Sequence, residues 1–197
     1  SLMNNGGITE RIFNFAKALM GWMRGGLGHV NVGASIVFSG MSGAAVADAG
    51  GLGMIEVKAM KDAGYDEEVA VGITAASSTI GPIIPPSLPM VIYGVMASAS
   101  VGQLFAAGLI PGLLMGAMLM LMIFIISRRR GYQRDAVFSM RVLGHTFKRA
   151  FLSLMTPIII VGGIITGAFT PTEAAVAAVF YALLLGVVVY RTLTWRK

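Results

Sequence analysis

The chain has 197 residues, 56% of them hydrophobic and 12% charged, with a mean hydropathy of +0.79. Soluble domains carry roughly 25% charged residues, so this composition excludes a solvated globular fold and predicts an all-α integral membrane protein. Lysine and arginine outnumber acids 15 to 9, but they cluster between apolar stretches, a positive-inside pattern that argues against a nucleic-acid partner; the absence of cysteine excludes disulfides and thiolate chemistry.

No initiator Met and no charged, cleavable leader precede the first element, and the chain is expected to be a piece of a larger subunit. Ile12, Phe13, Ala16, Leu19, Met20 and Met23 recur at helical spacing with Glu10, Arg11, Asn14 and Lys17 largely opposite. This predicts a first segment, 1–24, carrying an amphipathic helix on the cytoplasmic face; the solvated end of a spanning helix has the same pattern.

The next stretch, from Gly25 to Val57, lies between Arg24 and Lys58, which the positive-inside rule places on one side. Two crossings need about 20 residues each, more than this stretch holds, so a re-entrant helical hairpin over about 25–63 is expected. Its tip is expected at Ser39-Gly40-Met41-Ser42-Gly43, where small polar residues and two glycines allow a turn. A single crossing remains the alternative, with Arg24 and Lys58 on opposite faces.

From about Val69 to Ala97 a second apolar stretch is long enough to span, but Gly81-Pro82-Ile83-Ile84-Pro85-Pro86-Ser87 interrupts it. Proline removes the N–H donor and clashes with the preceding helical turn, so a broken transmembrane helix is predicted over about 67–97. Unwound backbone is tolerated at membrane depth where it is buried in protein or lines a polar cavity, as in secondary transporters. A spanning helix over about 103–127 follows; with the hairpin and the broken helix it forms a unit, 25–127. A basic segment, 128–150, reads as a second cytoplasmic arm, since Val142, Leu143, Thr146, Phe147, Ala150 and Phe151 recur at helical spacing between Arg141 and Leu154. Two further spanning helices are expected within 151–197, returning to Arg191, Arg196 and Lys197. Thr170-Pro171-Thr172-Glu173 between them reads as a helix start.

Candidate chemistry concentrates at the two interruptions. Asp48 lies in apolar sequence six residues past Ser42, where a carboxylate needs a cavity or a partner. It is read as shaping a cation site or orienting the hairpin tip; the plainer reading is a cap for the second hairpin helix. Ser39, Ser42 and Gly43 at the tip, and Ser77, Ser78, Thr79 and Gly81 at the break, offer hydroxyl and carbonyl oxygens suited to an alkali cation. Taken singly, such hydroxyls usually bond to their own helix one turn earlier. The helix starting near Ser87 is expected to aim free N–H groups at an anionic substrate. Gly40-Met41-Ser42-Gly43 also matches the Gly-x-Ser-Gly of rhomboid-type intramembrane proteases, an enzyme reading that requires His29 or His145 beside the serine. No phosphate loop or metal-ligand spacing is present, so no cofactor is expected.

These residues together resemble a known family. Gly40-Met41-Ser42-Gly43 through Ala47-Asp48, Gly64-Tyr65, Gly81 to Ser87 with Tyr93-Gly94, Leu104-Phe105-Ala106-Ala107-Gly108 with Pro111-Gly112, and Phe169-Thr170-Pro171-Thr172-Glu173-Ala174-Ala175 resemble the large membrane subunit of TRAP transporters. The resemblance implies a sodium-coupled symporter of organic acids such as C4-dicarboxylates, not an enzyme, in a bacterial or archaeal inner membrane. It implies three partners: a small membrane subunit, a periplasmic binding protein, and a second inverted repeat of its own polypeptide. An elevator mechanism is implied, with this chain supplying half of the moving domain. By resemblance, Ser39, Ser42, Gly43, Thr79, Gly81 and Pro82 contribute to a sodium site, Asp48 supports the hairpin, and Ser42, Pro85, Pro86 and Ser87 face substrate. Family members commonly carry a second tip serine where this chain has Ala44. A dicarboxylate or citrate carrier without a binding protein is the nearest alternative.

Overall fold

The computed structural model describes residues 8–189; the expectations for 1–7, for Tyr190 and for the basic cluster Arg191, Arg196 and Lys197 lie outside them. Among the described residues the chain is helical, without a strand.

Helix α1 (Ile8–Met20) buries Ile8, Thr9, Ile12, Phe13 and Ala16, one stripe at helical spacing, against its neighbours. Its contacts are with α2 (Gly26–Ser42) and with the long helix α8 (Met140–Ile165). Leu19, expected on the buried face, is 40% exposed because the stripe ends at Ala16.

The chain reverses after α2. Gly43 takes a left-handed conformation (φ 62°) and its N–H returns to the Ser39 carbonyl, which satisfies the end of the helix. Ala44 is extended, and α3 (Ala45–Gly51) and α4 (Gly53–Asp62) run back, joined at Leu52, whose own dihedrals are helical. The amide of Asn31 lies 3.9 Å from the Met60 sulfur, so α2 and α4 are antiparallel neighbours. Both ends return to one place, because the Leu27 N–H and the Tyr65 hydroxyl both donate to Asp135, at 2.8 and 2.9 Å. The turn therefore sits at Gly43–Ala44, at the far end of the residues expected to form it, and Ser39 to Ser42 remain helical.

Helix α5 (Glu67–Ser78) packs against α2 and α4 and stops where the glycine and prolines begin. Residues 79–87 form successive turns, with a cis bond between Pro85 and Pro86, before α6 (Leu88–Met96). The break predicted from Gly81 to Ser87 is present, and local chemistry alone accounts for it.

Helix α7 (Val101–Arg130) packs against the broken segment and against the middle of α2 from one face. Gly108, Gly112 and Gly116 fall one turn apart, and a Cβ at these positions would stand 2.5 Å from the Ile83 carbonyl oxygen, 2.4 Å from Ile84 and 2.7 Å from Ile36. Only glycine lets the broken segment and α2 approach this closely. The opposite face is apolar and open, with Ile110 77% exposed and Leu114, Met118 and Leu121 beside it. Such a patch on a helix of this length requires an apolar surrounding. Helices α7 and α8 are both long and apolar enough to cross a membrane, by length and composition.

One continuous helix, α8, runs through the boundary expected near residue 150. Basic side chains on its exposed first half do not interrupt backbone hydrogen bonding, so arm and span are a single rod. Helix α9 (Pro171–Leu184) starts as expected: Thr170 caps it, Pro171 is its first residue, and the Thr170 and Glu173 side chains satisfy each other's backbone N–H groups. It continues into a π-helical turn, Leu185–Val189. Phe105, Ile160, Ile164, Ala174 and Ala178 form a small core between α7, α8 and α9, separate from the main core around Ile12, Val30, Met60, Ile73 and Ile123.

Candidate functional site

The two interruptions meet. The Leu88 N–H donates to the Gly43 carbonyl at 3.2 Å, and a Cβ on Gly43 would lie 2.4 Å from the Pro86 carbonyl oxygen. Across the same junction a Cβ on Gly81 would be 3.4 Å from the Ala44 carbonyl carbon. Tip and break are thus held by backbone-to-backbone contact, where a larger side chain has no room.

Within this junction the polar groups differ in how far they are committed. The Ser42 hydroxyl is buried and, among the described residues, has no hydrogen-bond partner. Ser39 donates to the Ile36 carbonyl at 2.7 Å, and the exposed Thr79 donates to that of Ala76 at 2.6 Å. Both are the own-helix bonds expected of single hydroxyls, yet each leaves oxygen lone pairs for a cation. Ser87 donates to the Pro82 carbonyl at 2.5 Å and accepts from the Met90 N–H, so it ties the broken segment to α6. The carbonyls of Thr79, Gly81, Pro85 and Pro86 accept no backbone hydrogen bond among the described residues. Hard oxygen donors that are free or half-used suit a sodium ion in kind. Ser42 at the tip and the Gly81-Pro82 carbonyls at the break would hold it.

A cavity of about 430 Å³ opens beside the junction, lined by Ser42, Gly43, Pro86 and Ser87 on one side and by α8 and α9 on the other. Of the four residues expected to face substrate, Ser42, Pro86 and Ser87 line it, and Pro85 is buried behind them.

The α6 start does not offer free donors to an anion. Leu88 N–H is taken by Gly43, Pro89 has none, and the Met90 and Val91 N–H groups are taken by Ser87. The enzyme reading also lacks geometry: neither histidine lines the cavity at Ser42, and His29 is 13 positions earlier on α2, about 20 Å by helical rise.

Behind the tip, between α2, α4 and α5, lies a polar layer that the sequence reading missed. Asn31 donates to Thr74 at 2.7 Å and accepts from Ser77 at 2.6 Å, and the Ser35 and Ser77 hydroxyls are 3.2 Å apart. Asp48 sits at its end with Ser35 as a neighbour, both carboxylate oxygens buried and outside hydrogen-bond geometry. Glu56 is 1% exposed, with one carboxyl oxygen buried and outside hydrogen-bond geometry among the described residues. In sequence Glu56 opens a block of charges that runs to Glu68. Its spacing of eight residues from Asp48, two helical turns and a little more, was the available signal.

At the opposite end, Asp66 accepts from Tyr132 and pairs with Arg130, and the Tyr65 and Tyr132 rings stack at 4.3 Å. The Tyr132 hydroxyl, and then the Arg130 guanidinium, hold the Asp66 carboxyl below the usual aspartate range.

Two helix interruptions meeting beside a cavity, on helices with exposed apolar faces, are the arrangement from which membrane carriers build their sites. The whole chain, residues 1–197, matches the family described as Tripartite ATP-independent periplasmic transporter, DctM component, and it belongs to that family. It is 59% identical over 193 residues to the sialic acid TRAP transporter large permease protein SiaM of Vibrio cholerae, covering 98% of this chain and 45% of that protein. It is 55% identical over 193 residues to the sialic acid TRAP transporter permease protein SiaT of Haemophilus influenzae, covering 98% of this chain and 31% of that one. With the 2,3-diketo-L-gulonate TRAP transporter large permease protein YiaN of Escherichia coli it shares 41% over 194 residues, 98% of this chain and 46% of the relative. The chain therefore spans less than half the length of these curated relatives.

Proposed function

We propose that the intact protein is a sodium-coupled TRAP permease importing a small organic acid, and that this chain supplies one of its two site-forming halves. The observation that carries the reading is the junction of tip and break, with the buried Ser42 hydroxyl uncommitted at the tip and the carbonyls of Thr79, Gly81, Pro85 and Pro86 free of backbone hydrogen bonds at the break. Sodium needs hard oxygens held at fixed spacing, and backbone contacts between Gly43, Pro86 and Leu88 fix them. Relatives named for sialic acid, 2,3-diketo-L-gulonate and C4-dicarboxylates point to carboxylate substrates, with sialic acid the first to try.

In this reading α2 to α4 form a re-entrant hairpin and residues 25–127 are half of the moving domain. Helix α1 and the basic half of α8 are arms, and the apolar half of α8 with α9 belongs to the scaffold. The tip travels with its ions and substrate past α8 and α9 as an elevator in the inner membrane. A second inverted repeat in the same polypeptide closes the site from the other side. A small membrane subunit and a periplasmic binding protein complete the system.

The test is uptake of labelled sialic acid and C4-dicarboxylates into proteoliposomes carrying the intact permease, its small subunit and its binding protein. Uptake is expected to need both a sodium gradient and the binding protein. Uptake with the binding protein omitted would favour a binding-protein-independent carrier, and uptake indifferent to sodium would overturn the coupling.

A further inference from the structure

A cavity of about 480 Å³ lies far from the tip, in the seam between α1 and the first half of α8, closed at one end by residues 136–139. Its volume is within the roughly 300–1,000 Å³ of small-molecule sites. Arg11, Lys17, His145 and Arg149 face it from the two helices, against a single acid, Glu10. The Lys17 and Arg149 side chains make no ion pair or hydrogen bond among the described residues. Two long basic side chains from different helices thus converge on one cavity, and neither is held in an ion pair.

The seam itself is firmly built. Phe15 packs on Phe147 with ring centroids 5.7 Å apart, Phe147 packs on Phe151, and Trp22 packs edge-on against Phe138 at the end closed by the connector. The surroundings are apolar: Val137 and Val142 line the cavity, and Phe138, Phe147 and Phe151 are each 44% exposed beside it. Immediately beyond Arg149, α8 enters its apolar, membrane-length part. The cavity therefore stands where a spanning helix meets the interface, with cations inside and aromatic rings around.

We infer that this cavity binds the phosphate headgroup of an anionic phospholipid, with Lys17 and Arg149 on the phosphate and the acyl chains along the exposed phenylalanines. Guanidinium on phosphate gives charge-assisted, often bidentate hydrogen bonding, and basic pockets between helices at this depth suit acidic headgroups. The apolar rim selects a lipid over free phosphate, which has nothing to place there. Because α1 also packs on α2, the lipid would fasten the arm that joins the hairpin to α8. The inference rests on membrane placement and not on the sodium site.

The experiment uses the intact permease with its small subunit, delipidated in neutral detergent and titrated with phosphatidylglycerol or phosphatidylcholine, with bound lipid counted by native mass spectrometry. Phosphatidylglycerol is expected to bind selectively. The Lys17→Gln/Arg149→Gln double variant should weaken it ~25-fold, from roughly fivefold per basic residue at an anionic surface. Lys17→Arg/Arg149→Lys should retain binding, as should Arg129→Gln, which removes an exposed cation outside the cavity. Retention in the charge-keeping variant separates loss of the site from loss of the fold. Equal binding of the two lipids, or full binding by the Gln double variant, would overturn the inference. Complete displacement by excess inorganic phosphate would reassign the cavity to a free anion. No lipid binding at all would likewise overturn it.

Discussion

Gly43→Ala probes the contact on which the site depends. Gly43 has φ 62°, and a residue with a Cβ is disfavoured there by about 1–2 kcal/mol. The new methyl would stand 2.4 Å from the Pro86 carbonyl oxygen, below the 3.0 Å that real Cβ contacts respect, and the obstacle is backbone. Pro86 must move, which pulls Leu88 N–H from the Gly43 carbonyl and costs about 0.5–1.5 kcal/mol more. The sum, about 1.5–3.5 kcal/mol, would leave the tip displaced from the break in most molecules wherever the closed junction is favoured by less than that. Gly50→Ala is the matched control: Gly50 is exposed in α3, a Cβ there meets nothing within 4 Å, and alanine in a helix gains about 0.5–1 kcal/mol. The assay is thermal unfolding of the purified intact permease with and without sodium, together with sodium-dependent uptake. Gly43→Ala should lower the midpoint and lose most of the stabilisation by sodium, while Gly50→Ala should keep or raise both. A Gly43→Ala protein indistinguishable from wild type in midpoint and sodium response would refute the reasoning.

Glu56→Gln should be neutral or stabilising in the same unfolding assay, since an amide of equal shape fills the buried site without the cost of burying a carboxylate; Glu56→Lys should abolish folded yield, because a buried ammonium there finds no room to hydrate. Asp66→Asn should loosen residues 131–139, read as faster amide exchange. Because the Asp66 carboxyl is held below its ordinary value, its contribution is present above the usual aspartate range and fades as pH falls through the lowered one. Wild type should therefore approach Asp66→Asn in acid but not at neutral pH, and equal exchange at both pH values would count against the tie. Gly108→Val should disrupt packing of the broken segment on α7, since even a Cβ would stand 2.5 Å from the Ile83 carbonyl oxygen; unchanged folded yield and uptake would contradict the close approach.

What the sequence discloses is mostly local chemistry. Prolines and a glycine mark the break at 81–87 because their effect on backbone hydrogen bonding needs no partner. Thr170-Pro171-Thr172-Glu173 gives its cap away for the same reason. Nonlocal contacts were hidden. The Leu88 N–H reads as free in sequence only because its acceptor, the Gly43 carbonyl, lies 45 residues away. Glu56 was hidden by its neighbours Lys58 and Lys61: charge clustering marks membrane sidedness, but one carboxylate turned inward on α4 obeys the helical period instead. The basic residues from Arg141 to Arg149 suggested a separate arm, although charges on an exposed helix face do not end a helix. Gly108, Gly112 and Gly116 carry a period of four that matters only once the Ile83–Ile84 backbone is known to lie against it.

Direct binding of radiolabelled sodium to the purified intact permease, comparing wild type with Ser42→Ala, bears on the tip-and-break site without relying on substrate or binding protein. Removal of the one uncommitted buried hydroxyl at the junction should lower sodium affinity by about tenfold or more, for a lost interaction of about 1.4 kcal/mol, with protein yield and unfolding midpoint in the absence of sodium unchanged. Sodium binding of equal affinity in Ser42→Ala would show that the ion sits elsewhere and return the junction to a purely structural role.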